Sequence, residues 1–423
     1  MNFYSKSRRS GRLENEVSDS GTIKEQILKK SNFILINSLS GGGAERQVSL
    51  ISKAIGISKI VLLNNNIKYD VDVDKYVLSK AKIYSSIIET LKIPIYVFKL
   101  INFIKKFKKP SVIVSFLVRS NLINILTGKI LGYKIIISER NTPSQIYTKG
   151  LSYYYGYLIK WCYPFADKII VNSYGIKNDL IKTFDIQAEK IDVIYNAIDI
   201  KRIDNLKNET LERRYDEFFN DNNILINVGS LTDQKGQEYL IKILHELKNK
   251  KYKLVIIGIG KLKNNLLLLA HGLRLKVYDS ISNSTQVDNS IDILFLNYQD
   301  NPYKYINLST IFLFTSLWEG FPNVLLESMA CKVPIVSSDC MSGPREMLSS
   351  NFKVKISLND IEYAKYGILI SLPNNDNIKL WVNAINSLMQ DKSMSDNYSQ
   401  LGYERVYDFD KNKIIEEWKS KLN

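Results

Sequence analysis

The chain has few of the residues that mark secreted, membrane-spanning or disulfide-rich proteins. It contains three cysteines in 423 residues, too few for a disulfide framework at this size, which favours a reducing compartment. None of its apolar runs reaches the roughly 18 uninterrupted residues that a bilayer span needs. The basic residues near the start are followed by no apolar stretch, so they do not form a signal peptide. We therefore expect a cytoplasmic protein.

Positive charge is what the chain has in excess. The formal net charge is +15, which predicts a polyanionic partner: a phosphorylated substrate, an acidic membrane surface or nucleic acid. Part of the excess is also typical of the lysine-rich composition that AT-rich genomes encode. No nucleic-acid recognition motif accompanies the charge, so we expect no nucleic acid among the partners.

Short, β-branched apolar runs alternate twice along the chain with segments of helical spacing. Continuous apolar runs of this kind are typical of parallel strands covered on both faces, which predicts an α/β fold of two doubly wound domains facing a cleft. The predicted strands are 33–37, 59–63, 111–118, 134–139, 168–173 and 192–196, then 224–231, 253–260, 291–297, 310–316, 334–339 and 367–370. The predicted organisation is a polar leader (1–30), a first domain (31–205), a linker (206–223), a second domain (224–395) and a C-terminal helix (396–423) that can cross back to the first domain.

Two glutamates flank a predicted helix start in the segment 315–346. Glu319 follows a buried strand, a helix begins near Asn323, and Glu327 lies within its first turns. Backbone amides at a helix start form an anion site. Carboxylates repel phosphate, so these two are suited to accept hydrogen bonds from sugar hydroxyls, Glu327 from a ribose diol and Glu319 from a hexose. The alternative is a capping carboxylate and a solvated helix glutamate.

Two further turns have the composition of phosphate-binding loops. Lys235 precedes Gly236 at a turn into a helix, where it can neutralise a phosphate or simply be a surface lysine. The segment SLSGGGAER (38–46) has three glycines that allow close backbone approach to a ligand, but it is neither a Walker A loop nor a GxGxxG fingerprint. Gly258 and Gly260 could begin a GxGxxG fingerprint, but Lys263 occupies the position of its third glycine, so a dinucleotide site is poorly supported.

Together these segments resemble the retaining glycosyltransferases of family GT4, which have the GT-B fold of two Rossmann-like domains, over about residues 32–420. The most specific element is EGFPNVLLE (319–327), two glutamates separated by seven residues. SERN (138–141), NPYKYI (301–306) and SDCMSGPREML (338–348) resemble the branch that adds hexoses or N-acetylhexosamines to build polyprenyl-diphosphate-linked oligosaccharides, O-antigens and capsules.

The resemblance implies a role for each matching position. It implies that the donor diphosphate is contacted by the glycine loop, the phosphate-binding lysine and the helix start, and that the glutamates hold the transferred sugar and the ribose. Gly42 and Gly43 form the glycine loop, Lys235 is the lysine, and Asn323, Val324 and Leu325 form the helix start. Glu319 matches the glutamate that contacts the transferred sugar, and Glu327 matches the one that holds the ribose.

The chain departs from the family pattern in two places. Ser230 stands where many relatives have an arginine, and we expect Arg345 to replace that charge. Many relatives also have a first-domain histidine near the reacting carbon, whereas His245 and His271 both lie in the second half and are expected to be structural. The segment at that position offers Glu139 and Arg140, which either face the acceptor or donor sugar or form an ion pair at a strand end.

The resemblance predicts transfer of a hexose or N-acetylhexosamine from a UDP-sugar to a lipid-linked glycan acceptor, with no cofactor and no metal. A front-face displacement, with the leaving phosphate helping to deprotonate the acceptor, fits a site without an evident carboxylate nucleophile. In the other transferase fold, an Asp-x-Asp motif binds a divalent ion; here Asp70, Asp72 and Asp74 alternate like an edge strand. The alternative from another class is a catalytically inactive GT-B protein that serves as a membrane-bound partner in a glycan assembly complex.

Residues 94–109 combine apolar residues at helical spacing with five lysines and no acid. A basic amphipathic helix suits an anionic leaflet, which predicts peripheral binding at the inner face of the cytoplasmic membrane. The alternative is a core-packed helix with a solvated lysine end. The tyrosine-rich segment 153–168 either lines the acceptor groove or packs over the sheet.

Overall fold

The computed structural model describes residues 31–80, 90–107, 109–147, 153–220, 223–247, 252–351 and 360–422. The predicted polar leader, residues 1–30, lies outside the described residues, as does Lys108 of the basic segment. The described residues form two mainly parallel sheets, each covered by helices on both faces, which confirms the predicted α/β class with two doubly wound domains.

The first sheet has seven strands among the described residues, in the order β3-β2-β1-β4-β5-β6-β7, and every pair is parallel. Its strands are β1 (Asn32–Ile36), β2 (Ile57–Leu62), β3 (Lys75–Val77), β4 (Val112–Phe116), β5 (Lys134–Glu139), β6 (Lys168–Val171) and β7 (Ile191–Val193). The helices that connect them are α1 (Gly43–Ile51), α2 (Ile93–Lys106), α3 (Val118–Leu131), α4 (Pro143–Ile146), α5 (Tyr153–Cys162) and α6 (Tyr174–Phe184).

The second sheet has eight strands in the described part of the chain, in the order β10-β11-β9-β8-β12-β13-β15-β14, and only the β14–β15 pair is antiparallel. Its strands are β8 (Ile224–Val228), β9 (Lys253–Ile257), β10 (Val277–Asp279), β11 (Ile293–Leu296), β12 (Ile311–Phe314), β13 (Ile335–Ser338), β14 (Ile361–Ala364) and β15 (Gly367–Ile370). The remaining helices are α7 (Ile200–Leu206), α8 (Asp216–Phe219), α9 (Gln237–Leu247), α10 (Lys263–Gly272), α11 (Tyr303–Asn307), α12 (Asn323–Ala330), α13 (Pro344–Leu348), α14 (Ile378–Gln390), α15 (Lys392–Val406) and α16 (Lys411–Leu422).

The central strands are buried on both faces because each sheet lies between two apolar layers. All five residues of β1, of β4 and of β9 are buried, as their continuous apolar sequences predict. The predicted strand 111–118 ends earlier, at Phe116, because Leu117 adopts a positive φ of 73° and α3 begins at Val118. This sharp turn places the start of α3 at the carboxyl edge of the first sheet.

The last two helices pack on different domains. Val406 of α15 belongs to the core of the second sheet, whereas Trp418 of α16 packs against Phe116 of β4, with ring centroids 5.7 Å apart. The chain therefore crosses back to the first sheet after α15. The segment 206–223, predicted as a linker, includes α8, and its Tyr215 and Phe218 are buried in the core of the second sheet.

Candidate active site

A cavity of about 700 Å³ lies between the carboxyl edges of the two sheets. The first domain lines it with the glycine loop after β1, the end of β5 and the loop after β7. The second domain lines it with the turns after β8 and β12 and with the start of α12. Crevices at the carboxyl ends of parallel strands are the usual ligand sites of open α/β sheets. The cavity lining includes the predicted site residues Gly42, Gly43, Arg140, Ser230, Lys235, Glu319, Asn323, Val324 and Glu327.

The start of α12 faces this cavity without a side-chain cap. Pro322 occupies the N-cap position and makes no capping hydrogen bond, so the first amides of the helix are not satisfied by a side-chain oxygen. Asn323 and Val324 line the cavity, whereas Leu325 is fully buried in the core behind them. The Leu325 amide donates to the Pro322 carbonyl at 3.2 Å, so Asn323 and Val324 are the residues whose backbone amides can serve an anion in the space between the domains.

Glu319 and Lys235 lie side by side in the cavity wall. The Lys235 ammonium donates to Glu319 Oε1 at 2.5 Å, and it also lies over the Phe314 ring of β12 at 5.9 Å from the centroid. The adjacent Gly236 has a φ of +60°, and a Cβ there would lie 2.4 Å from the Thr315 carbonyl oxygen. Only glycine fits this turn, and the turn fixes Lys235 against the loop that carries Glu319.

Glu327 is buried in α12 and pairs with Arg46, a residue of the opposite domain. The second guanidinium nitrogen of Arg46 donates to the Tyr303 hydroxyl at 2.7 Å. Burial disfavours the Arg46 cation, but its attraction to Glu327 and its contacts with the tyrosines Tyr303 and Tyr69 together outweigh this and raise the arginine pKa. Sequence reasoning gave Arg46 no role, although it stands in the singled-out segment SLSGGGAER, one helical turn after the glycines.

The glycine loop and the start of α12 approach each other across the cleft. A Cβ on Gly43 would lie 3.3 Å from the Asn323 side-chain amide. The Asn323 side-chain oxygen accepts a hydrogen bond of 2.7 Å from Asn196 of the first domain, and Gln47 bonds the backbone of Ala197 beside it. These contacts place the glycine loop directly opposite the helix start.

Ser230 lines the cavity, but Arg345 is not among the described residues of the lining. The Arg345 guanidinium is held at 2.8 Å by Asp339 and at 2.8 Å by Glu362. Both ends of the guanidinium are thus occupied by carboxylates outside the cavity. The structure gives no support to the prediction that Arg345 replaces the arginine missing at Ser230.

Glu139 and Arg140 point to different surroundings. Glu139 is fully buried and accepts hydrogen bonds from the Tyr163 hydroxyl at 2.6 Å and from the Arg140 backbone amide at 3.0 Å. Burial raises the pKa of Glu139 to about 7, although these hydrogen bonds favour the carboxylate. Arg140 reaches the cavity beside Asn196, and its buried Nε atom has no hydrogen-bond partner among the described residues. Of the two predicted acceptor residues, only Arg140 borders the cavity.

The other titratable candidates lie elsewhere. Asp70, Asp72 and Asp74 pair with the lysines Lys75, Lys53 and Lys59 at the exposed edge near β3. Within the described ranges, no group of three or more His, Cys, Asp or Glu side chains could hold a metal ion. His245 on α9 and His271 on α10 both lie outside the cavity lining.

Helices α2, α3 and α5 cover one face of the first sheet and expose apolar side chains. The buried side of α2 contributes Tyr96, Leu100 and Phe103 to the core, as the core-packed alternative predicts, but Phe98 on its outer side is 65% exposed. On α5, Trp161 is 73% exposed, so this aromatic residue covers neither the sheet nor the cavity. Together the exposed residues of these helices, which we call the aromatic surface, are Ile95, Phe98, Leu126, Ile130, Tyr153, Tyr154, Tyr157 and Trp161. No helix in the described residues combines the length and apolarity needed to cross a bilayer.

Comparison with known families matches both halves of the chain. Residues 208–405 match the family described as "Glycosyl transferases group 1", and residues 65–202 match "Glycosyltransferase Family 4". The first match contains the second-domain side of the cavity, and the second contains Arg140 and Asn196 of the first domain.

Relatives are similar over nearly their whole length. An uncharacterised glycosyltransferase of Methanocaldococcus jannaschii is 31% identical over 84% of this chain and 89% of its own. The Campylobacter jejuni N-acetylgalactosamine-N,N'-diacetylbacillosaminyl-diphospho-undecaprenol 4-alpha-N-acetylgalactosaminyltransferase is 30% identical over 90% of this chain and 96% of its own. The fold is also that of the Anabaena protein HepE crystallised with UDP, with a TM-score of 0.69 at 17% identity, covering 93% of this chain and 99% of that one.

Proposed function

Because the chain belongs to glycosyltransferase family 4 and has the GT-B fold, we propose that it moves a hexose or an N-acetylhexosamine from a UDP-sugar to a polyprenyl-diphosphate-linked or other surface-glycan acceptor. One observation carries the proposal. Glu319 and Glu327 flank the uncapped start of α12 inside a cavity that both domains line. A nucleoside diphosphate sugar has the matching order of groups: a diol, two phosphates and a hexose.

The donor assignment is supported by the charges around the helix start. Lys235 and the first amides of α12 are donors suited to a diphosphate, and the two carboxylates are acceptors suited to sugar hydroxyls. The Anabaena structure of the same fold contains UDP, and the name of the Campylobacter relative gives it an N-acetylgalactosaminyl donor group and a diphospho-undecaprenol acceptor. We extend that donor and acceptor chemistry to this chain.

The reaction itself needs charge stabilisation more than covalent chemistry. When the bond from the anomeric carbon to the diphosphate oxygen breaks, negative charge grows on the leaving phosphate. Lys235 and the α12 amides are fixed in advance where that charge would develop. We propose front-face displacement: the acceptor oxygen bonds to the anomeric carbon with retention, and its proton passes to a leaving phosphate oxygen. This scheme uses neither a metal nor a cofactor.

Contact between the domains would protect the donor from water. The Thr142 hydroxyl of the first domain donates to the Glu319 carbonyl at 2.7 Å, and Asn196 donates to the Phe321 carbonyl at 2.9 Å. Both bonds hold the loop that carries Glu319 against the first domain. Exclusion of water at this loop favours transfer to the acceptor over hydrolysis of the donor.

The aromatic surface supports a membrane-bound acceptor. Lys105 and Lys106 are exposed at the end of α2, the helix that also carries the exposed residues Ile95 and Phe98 of this surface. Amphipathic rings with nearby lysines suit the headgroup layer of an anionic leaflet. We propose that the first domain docks there, at the inner face of the cytoplasmic membrane, with the cavity open to the lipid-linked glycan.

The test is a transfer assay with purified protein. A panel of UDP-sugars is combined with undecaprenyl-diphosphate-linked acceptors, UDP release is measured, and the anomeric configuration of the product is determined by NMR. We expect release with one donor and a retained configuration. Glu319→Gln should lower turnover at least about a hundredfold, because the charged acceptor for a hydroxyl of the transferred sugar and the Lys235 ion pair are both lost. Glu238→Gln, on the exposed side of α9, is the matched control.

Two results would contradict the proposal. An inverted product would exclude the front-face mechanism. Absence of both UDP binding and turnover in a folded protein would favour the alternative of an inactive membrane-bound partner in a glycan assembly complex.

A further inference from the structure

We infer that Arg46 is the second cation for the donor diphosphate and that the ribose diol and Arg46 compete for Glu327. The inference rests on the proposed function and adds to it a residue from the domain opposite the donor-binding helix. It would also supply the positive charge that Ser230 does not.

The position of Arg46 is set by the glycine loop. Its backbone amide donates to the Gly42 carbonyl at 3.0 Å, so the residue completes the first turn of α1 directly behind the glycines. From there its side chain crosses to α12 and meets Glu327 and the Tyr303 hydroxyl. The Arg46 side chain thus reaches from the glycine loop to Glu327, the carboxylate predicted to hold the ribose.

Arg46 is the cavity cation that pairs with Glu327. Each carboxylate of the motif EGFPNVLLE has a cationic partner, Lys235 for Glu319 and Arg46 for Glu327. Lys235 is the phosphate-binding cation that the family resemblance implies, which makes Arg46 its counterpart at the other glutamate of the motif. Arg140 lies at the Glu319 end of the cleft: its carbonyl contacts Gly320, and its guanidinium bonds Asn196. It is therefore placed for the sugar or the acceptor.

The chemistry of a nucleotide makes the exchange favourable. A ribose diol donates two hydrogen bonds to one carboxylate, and Arg46 already occupies one oxygen of Glu327. A guanidinium that leaves the carboxylate needs another anion, because an unpaired buried charge is costly. The phosphate attached to the same ribose through its 5′ carbon is the nearest anion that the nucleotide brings. Arginine binds phosphate with two parallel hydrogen bonds, which suits this replacement.

The inference makes opposite predictions for two ligands that differ only in their phosphates. With Arg46→Met, UDP loses a charged partner, and its affinity should fall about ten- to a hundredfold. Uridine has no phosphate to gain from Arg46 and must displace it from Glu327, so its affinity should be unchanged or higher. Arg46→Lys, which keeps the charge but loses the fork of donors, should recover part of the UDP affinity.

The experiment is isothermal titration of the full-length protein with UDP, UMP and uridine. Wild type, Arg46→Met and Arg46→Lys are compared, and Arg213→Met removes one exposed arginine outside the cavity as the charge-matched control. Circular dichroism and thermal unfolding test whether each variant is folded. If Arg46→Met does not fold, Arg46→Lys decides: its affinity for UDP should fall relative to wild type while its affinity for uridine does not.

Three outcomes are distinguishable. A fall for UDP without a fall for uridine supports the inference. An equal fall for both ligands would mean that Arg46 only orients Glu327, and an unchanged UDP affinity would mean that it does not meet the phosphates; either result overturns the inference while the proposed function stands. A wild-type protein that does not bind UDP would instead refute the proposed function.

Discussion

Gly320 offers a sharp test of how closely the two domains must meet for catalysis. It directly follows Glu319 and packs against the backbone of Arg140 in the first domain. A Cβ on Gly320 would lie 2.0 Å from the Arg140 carbonyl oxygen, whereas real Cβ contacts almost never fall below 3.0 Å. The methyl group of Gly320→Ala therefore has to move by at least 1.0 Å, the difference between these distances, and the neighbour is backbone that cannot rotate away.

The expected result is a loss of turnover with little loss of donor binding. Misplacement of reacting groups by about 1 Å can cost on the order of a hundredfold in rate, so kcat should fall by about that factor. Lys235 and the α12 amides all belong to the second domain and keep their relative positions, and the long side chain of Arg46 can follow a shift of about 1 Å from the first domain, so UDP affinity should change by less than about threefold. Transfer kinetics and UDP titration on the same preparation measure the two effects separately.

Gly272→Ala is the matched control for this experiment. Gly272 ends α10, and a Cβ there meets nothing within 4 Å, so activity should be that of the wild type. Thermal unfolding of both variants separates a shifted loop from an unfolded protein. A Gly320→Ala enzyme with a kcat within about threefold of wild type would refute the argument that this contact sets the catalytic geometry.

Three further predictions concern stability, membrane binding and metal. Burial raises the pKa of Glu139 from its ordinary 4.5 to about 7, so between these pH values the folded state holds a proton that the unfolded chain releases. The free energy of unfolding of the wild type should therefore fall by up to about 3 kcal/mol as the pH rises from 4.5 to about 7, and Glu139→Gln should lack this part of the fall. Denaturant titrations measure both pH profiles, and parallel profiles would contradict the prediction. The double variant Phe98→Asp and Trp161→Asp should co-sediment at least about tenfold less than wild type with phosphatidylglycerol vesicles. The control is Leu268→Asp, which changes a 70% exposed leucine of α10 and should co-sediment like wild type. Equal sedimentation of the double variant and wild type would refute membrane docking by the aromatic surface. Transfer should persist in excess EDTA, and a loss that magnesium or manganese restores would exclude the metal-independent scheme.

Local sequence was sufficient for the architecture because parallel strands buried on both faces leave an unmistakable pattern. The continuous apolar sequences of β1, β4 and β9 were predicted as strands and are buried throughout. The turn that carries Lys235 and the helix that begins at Asn323 were also predicted, since strand, turn and helix are adjacent in the chain. Short edge elements such as β10 were not predicted as strands, because three residues carry too little periodicity.

What the tertiary structure alone decided is which side chains meet across the two domains. Arg46 and Glu327 are 281 residues apart, and no local pattern in either segment indicates the other. Packing around each side chain likewise decided that Arg345 pairs with Asp339 and Glu362. It also decided that Arg140 borders the cavity whereas Glu139 does not. Sequence periodicity determines which face of an element is buried, but the docking of one domain on the other determines which charge finds which partner.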